Sequence, residues 1–150
     1  MKDILMQKKC GIILFDMESQ SFFLVYGRKS KKWGFPKGHM EENETERVTA
    51  LREFFEETGY VFKDETQIDF NQRFQIKNNI YFQIKIPTRE ELVQKNKDIP
   101  DTNEILLAEW KDVCNILNLN ISDCNFGLKF WILKKKYETV SKCPTEAISC

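Results

Sequence analysis

Gly38 to Tyr60, GHMEENETERVTALREFFEETGY, sets seven glutamates against two arginines, Arg47 and Arg52. Within this stretch Val48, Leu51 and Phe55 recur at i, i+3 and i+7, with Ala50 and Phe54 alongside. That period predicts an amphipathic helix from about Thr45 to Thr58, closed by Gly59 at the position where a left-handed glycine ends helices. Glu53, Glu56 and Glu57 fall at i, i+3 and i+4, so three carboxylates crowd one helical turn, where like charges destabilise the helix. Such crowding calls for a cation. Hard divalent metals with oxygen ligands suit it, above all Mg²⁺ held by carboxylates together with substrate phosphates. The apolar side of the helix is expected to pack on a sheet, with the Glu53, Glu56 and Glu57 side facing outward.

The flanking segments supply that sheet. Lys9 to Asp16 and Ser21 to Tyr26 are short β-branched and aromatic runs joined by a polar turn, a predicted strand pair whose first member is apolar enough to be buried on both faces. A basic loop, Gly27 to Lys32, leads into Trp33-Gly34-Phe35-Pro36-Lys37-Gly38, where Pro36 and the glycines exclude a helix. Ile68 to Ile76 and Ile80 to Ile86 alternate around Lys77-Asn78-Asn79, which predicts an antiparallel hairpin with one wetter face carrying Tyr81. Pro87 to Asn103 is long and polar, with a helical turn expected near Thr88 to Gln94, and is a candidate substrate loop. Glu104 to Trp110 resumes strand character and Lys111 to Leu117 suggests a short helix. Phe126, Phe130, Leu133 and Tyr137 define the apolar stripe of a longer closing helix. The fold class expected is α/β, a sandwich with a central mixed sheet and helices on both faces, formed by one domain over residues 1–140 with a tail over 141–150.

Composition excludes several classes. Lys plus Arg equals Asp plus Glu at 23 each, so no whole-protein field gathers nucleic acid and a polyanion must be met by local patches. Five widely spaced cysteines without a C-x-x-C pair suggest free thiols in a reducing, cytoplasmic setting rather than disulfides or zinc. No apolar run is long enough to span a membrane, and nothing marks an obligate protein partner.

The spacing Gly38, five residues, Glu44, seven residues, Arg52-Glu53-Phe54-Phe55-Glu56-Glu57-Thr58-Gly59-Tyr60 resembles the Nudix box, G-x5-E-x7-R-E-U-x-E-E-x-G-U, with Tyr60 a bulky occupant of its last site. The resemblance implies a Nudix-like fold and hydrolysis of a pyrophosphate linkage in a nucleoside diphosphate derivative, with Mg²⁺ or Mn²⁺ as cofactor. It implies Glu53, Glu56 and Glu57 as metal ligands, the Gly38 carbonyl as an additional one, and Arg52 paired with Glu44 to orient the glutamates. Either Glu53 or a loop carboxylate would take the proton from water. Glu104, six residues before Trp110, is the loop candidate, with Glu109 behind it.

For the substrate, Trp33 to His39 resembles both the asymmetrical diadenosine tetraphosphate hydrolases and, in W-G-F-P-K-G, the mRNA-decapping Nudix enzymes. Both likenesses put Lys37 near phosphate, with Arg28, Lys29, Lys31 and Lys32 extending the patch and His39 within reach. Tyr81 is the expected stacking platform for a base. A dinucleoside polyphosphate such as diadenosine tetraphosphate is the favoured small-molecule nucleotide, because the chain lacks room for the helical domain of cellular decapping enzymes. The 5′ end of capped RNA is the alternative, followed by a diphosphoinositol polyphosphate and by a non-catalytic nucleotide- or RNA-binding module.

Overall fold

In the computed structural model residues 7–142 are described, with side chains to residue 138. Strands β1 (Lys9–Asp16), β2 (Ser21–Gly27), β3 (Trp33–Gly34), β4 (Lys37–His39), β6 (Arg73–Ile76), β7 (Asn79–Ile86) and β9 (Ile105–Asp112) form one mixed sheet. A second, two-stranded sheet pairs β5 (Tyr60–Phe62) with β8 (Leu92–Gln94). Helix α1 (Glu46–Thr58) covers one face of the main sheet, and α2 (Val113–Leu117) and α3 (Phe126–Lys142) cover the other, the α/β/α sandwich expected. None of the described helices is long and apolar enough to cross a membrane.

Strand β1 is the spine. Its run of buried residues pairs in parallel with β7 along its whole length, from Lys9 opposite Asn79 to Asp16 opposite Ile86. On its other edge it pairs with β2 only at Phe15–Phe22 and Asp16–Ser21, and then the two strands part. Strand β4 fills the gap on the β1 side, with Lys37, Gly38 and His39 opposite Gly11, Cys10 and Lys9, while β3 lines the β2 side. The sheet therefore forks, and Trp33 to His39 is the wedge. Gly11 permits this approach, since a Cβ there would overlap the Pro36 carbonyl and Lys37. Beyond the fork β2 pairs along its full length with β9, which brings Ile105 opposite Gly27 across a register shift.

Local signals place α1 as expected: the Thr45 hydroxyl accepts the Val48 N–H at 3.1 Å, and Gly59 ends the helix at φ 83° with its N–H donating to the Phe55 carbonyl. Its rotation differs from expectation. Val48 is 48 % exposed, and the buried residues are Thr49, Ala50, Glu53, Phe54, Glu57 and Thr58. Phe54 decides this by packing on Phe23 and stacking on Phe62, with ring centroids 6.0 and 5.5 Å away. Glu53 and Glu57 are carried inward as a result.

The closing helix shows the same kind of displacement. Leu128, Trp131 and Ile132 form its core face, with Trp131 4.8 Å from Phe22 and 5.5 Å from Phe35. The expected stripe, Phe126, Phe130, Leu133 and Tyr137, is 38, 37, 42 and 74 % exposed. Two apolar rows compete in this sequence, and the row containing the indole has the aromatic partners on the sheet. Strand β6 starts at Arg73, so Ile68 to Gln72 is not strand; Phe70 instead packs on Phe82 beneath the Arg47 guanidinium. The Pro87 to Asn103 connection is not free loop. It contains a 3₁₀ turn at Arg89–Glu91 and β8, and it is tied to α1 through Lys95 and Asn96 N–H groups on the Gly59 carbonyl and the Asp101 N–H on the Glu56 carbonyl.

Tyr81 is fully buried, not on a wet face, because β7 is an internal strand paired with both β1 and β6 and roofed by α3. Its ring lies against Phe35 and Phe74, its hydroxyl lies against Gly127, and that hydroxyl has no hydrogen-bond partner among the described residues. Cys10 and Cys124 are buried free thiols, as expected. Cys143 and Cys150, and the tail apart from residues 141 and 142 that end α3, lie outside the described residues.

Tyr81→Phe removes an unpaired buried hydroxyl, so stability by urea denaturation is expected to stay level or rise by about 1 kcal/mol. Tyr81→Ala is expected to lose roughly 3–5 kcal/mol through the cavity it leaves. Loss of stability in the Phe variant would show that the hydroxyl has a partner.

Candidate active site

The fork and the inward face of α1 meet at Gly38. Glu53 and Glu57 are 9 and 4 % exposed beneath β4, and a Cβ on Gly38 would overlap the Glu53 carboxylate, so glycine leaves the acid its place. The Lys37 N–H donates to Glu57 Oε1 at 3.1 Å. Arg52 organises the other side: its Nε and Nη2 donate to the two oxygens of Glu44 at 2.7 and 3.0 Å, a bidentate pair of the strong, directional type. The Glu41 N–H and the Thr49 hydroxyl add bonds to Glu44, and Arg52 Nη2 also donates to the His39 carbonyl at 2.9 Å. Arg52 Nη1 meets Glu53 at 3.1 Å and Glu56 at 3.2 Å. The Glu44–Arg52 brace is thus present as expected, and it also anchors β4 to the helix.

Electrostatics follow from this packing. Arg52 and the two neighbouring donors hold the Glu44 carboxyl down at about 2. Burial first, and then the Glu56 charge, push Glu53 up to about 7 against the pull of Arg52. Burial likewise raises Glu57 well above the ordinary carboxylate range, opposed by the Lys37 N–H and ammonium. One arginine is too little cation for these acids.

A cleft of about 310 Å³ opens at the fork beside them. Lys37, Gly38, His39, Glu57 and Glu104 line it together, and so do Lys9, Lys29, Lys32, Gly34 and Asn125. Burial and Lys9 lower the pKa of the Lys37 ammonium, with Glu57, Glu53 and Glu104 opposing, and His39 is lowered by burial, Lys9 and Lys37. Glu104 reaches the cleft because β9 begins opposite Gly27; the Arg28 N–H holds its carbonyl at 2.8 Å. The Arg28 side chain itself is not in the lining: its Nε donates to the Thr102 carbonyl at 2.8 Å, so Arg28 positions the Glu104 loop. Tyr81 is absent from the cleft, buried on the α3 side of the sheet. Glu109 points elsewhere, paired with Lys111 at 3.4 Å. Lys9 and Asn125 were not singled out from the sequence; Lys9 had only a strand-start position, and Asn125 a position just before an apolar helix.

The residues fit a hard divalent cation by the chemistry of their donors. They offer carboxylate oxygens only, two of them buried and short of positive charge, in a recess that Gly38 keeps free of a side chain. Among the described residues no three acidic, histidine or cysteine side chains stand in a closed metal-holding group, and each carboxylate leans on a protein donor: Glu53 and Glu56 on Arg52, Glu57 on the Lys37 N–H.

The NUDIX domain family model matches residues 6–123. The chain belongs to the Nudix family and is a Nudix hydrolase. It is 50 % identical over 54 residues to the m7GpppN-mRNA hydrolase dcap-2 of Caenorhabditis elegans and 47 % identical over 51 residues to the mRNA decapping complex subunit 2 of Schizosaccharomyces pombe. These stretches are 35 and 33 % of this chain and only 7 % of each relative. Among solved structures, a NUDIX hydrolase from Nitrosomonas europaea aligns with a TM-score of 0.62 at 18 % identity over 88 % of both chains. An Ap4A hydrolase of C. elegans in a binary complex aligns at 0.58, 18 % identical, over 91 % of this chain and all of that one.

Carboxylates raised by burial destabilise the fold once ionised, so Glu53 and Glu57 leave stability highest below about 4.5 and erode it as pH rises through about 7. In chelator the melting temperature is expected to fall between pH 5.5 and 8, and Mg²⁺ is expected to raise it more at pH 8 than at pH 6. Glu57→Gln should flatten the slope and shrink the Mg²⁺ response. An equal Mg²⁺ shift in wild type and variant by thermal scanning would refute the ligand role of Glu57.

Proposed function

We propose that this enzyme hydrolyses a phosphoanhydride bond in the 5′ cap of RNA, using Glu53, Glu56 and Glu57 to hold Mg²⁺ or Mn²⁺, with the Gly38 carbonyl beside them. The carrying observation is a pair of buried, charge-starved glutamates, Glu53 and Glu57, of which Glu57 lines a cleft together with Lys9, Lys29, Lys32 and Lys37. A divalent ion held there would neutralise phosphate oxygens and make water a better nucleophile. The residues of the chain do the rest. Lys37, Lys9 and His39 face the polyphosphate, while Lys29 and Lys32 on the rim receive its continuation. Glu104 takes a proton from the attacking water, because the three helix glutamates are committed to the cation and Glu104 stands in the same cleft. As the water oxygen bonds to phosphorus, the bridging P–O bond breaks and the leaving phosphate takes the electron pair. Arg52, held by Glu44, keeps Glu53 and Glu56 in place.

Two points favour the cap over the dinucleoside polyphosphate. The curated relatives matched over about a third of this chain are decapping enzymes, whereas the likeness to the Ap4A hydrolase, at 18 % identity, speaks for the fold alone. Tyr81, the platform expected for adenine, is in the core.

Incubation with Mg²⁺ and, separately, cap-labelled RNA, diadenosine tetraphosphate and a diphosphoinositol polyphosphate tests the substrate. Release of methylated GDP from the RNA is expected; ATP plus AMP from the dinucleotide with the RNA intact would replace this reading. Glu104→Gln should lower kcat by about 10²–10⁴-fold with an unchanged melting temperature, the usual size of a general-base contribution. A kcat within threefold of wild type would reassign the base to Glu53.

A further inference from the structure

Asn125 has two faces with different duties. Its Oδ1 accepts the Leu128 N–H at 3.0 Å and caps α3, and its own N–H donates to the Trp33 carbonyl at 2.8 Å. Its carbonyl accepts from Lys129, so the backbone is fixed on both sides. The cap also fixes the amide orientation, since a flipped side chain would set its NH₂ against the Leu128 N–H. The NH₂ therefore lies over Gly34, where any Cβ would overlap it, and lines the cleft without an acceptor among the described residues. With Gly34 it forms the wall remote from α1, across the fork from Glu57, and Lys32 lines the same cleft.

We infer that Asn125 is a specificity-determining residue whose Nδ2 donates to an oxygen of a substrate phosphate other than the one attacked. Resting on the cleft being the site of phosphoanhydride hydrolysis, this assigns a ruler to the enzyme. Because Oδ1 is taken by the helix, the side chain offers the cleft donors only, which suits an anionic acceptor and not a base edge that needs both a donor and an acceptor. Lys32 in the same lining and the start of α3 behind Asn125 supply the matching positive field. Gripping one phosphate at Asn125 while another meets the carboxylates sets which anhydride is presented for attack. Gly34 is the companion requirement, because a side chain there would displace the amide.

Asn125→Asp and Asn125→Ser both keep an oxygen to cap α3 but lack the NH₂, so both are expected to fold with melting temperatures near wild type. The direct probe is inorganic tripolyphosphate. In ¹⁵N-correlated NMR of the wild type, the Asn125 side-chain NH₂ pair is expected to shift on titration, and Asn125→Asp is expected to bind tripolyphosphate at least tenfold more weakly, with Asn125→Ser in between. On the substrate that the wild type cleaves, the aspartate variant should raise KM at least tenfold with kcat within about threefold, and it should yield a mixture of products from two anhydrides in place of one. An unshifted NH₂ pair, or tripolyphosphate affinity within twofold of wild type in both variants, would overturn the assignment. Wild-type protein that binds tripolyphosphate through Asn125 but cleaves no member of the substrate panel would overturn the proposed function and leave this inference standing.

Discussion

Burial of Glu53 and Glu57 under β4 is the constraint on which the rest of the site depends. Desolvating two carboxylates a helical turn apart is costly, and burying them with incomplete compensation raises their affinity for protons or cations. The protein accepts this because the same helix turn supplies Phe54 to the core, where Phe23 and Phe62 receive it. Rotation of α1 toward solvent would relieve the acids and lose the aromatic packing. The aromatic packing holds them in. Arg52 and Glu44 then act as a rigid partition, binding the outer oxygens of the glutamates while tying the helix to the His39 carbonyl.

A second constraint is the fork between β1 and β2. Two neighbouring strands that separate leave backbone groups without partners, and such groups must be satisfied or exposed. Strand β4 satisfies part of the β1 edge and β3 part of the β2 edge. What remains between them is a cleft whose walls are backbone at Gly27, Gly34 and Gly38 and whose charges come from five different segments: the start of β1, the basic turn, β4, α1 and the start of β9. The fork thereby joins a lysine-lined cleft to a recess of buried carboxylates. Asn125 connects this cleft to the far side of the sandwich, because its oxygen belongs to α3 while its nitrogen belongs to the cleft.

Much of this was legible in the chain. The strand pair, α1 with its Thr45 and Gly59 ends, β9 and both later helices follow from local period and capping chemistry, which act over a few residues. The crowded box glutamates follow from like charge on one helical turn, whereas Arg52, Lys37 and Glu104 were pointed to by the resemblance to Nudix enzymes; the fold brings Lys37, Glu57 and Glu104 to one cleft. The rotations of α1 and α3 did not follow. Each helix carries two apolar rows, Val48/Leu51/Phe55 against Ala50/Phe54 and Phe126/Phe130/Leu133 against Leu128/Trp131/Ile132, and periodicity cannot rank them. Tyr81 was misplaced for a related reason: alternation tells which residues share a face, but not whether a helix covers that face.

The sequence by itself determined the family of this protein. Three glutamates in one turn, with an arginine and a glycine at set distances, carry the Nudix spacing that the family match bears out, and their crowded charge has to be met locally, which is the ground for the cation proposed above. Tertiary structure alone decided that two of those glutamates are buried, that Arg28 holds a loop and does not face the cleft, that Tyr81 is core, and that Lys9 and Asn125 face the cleft. Each of these depends on contacts between residues far apart in the chain, where side-chain packing and strand pairing, and not local propensity, set the direction in which a group points.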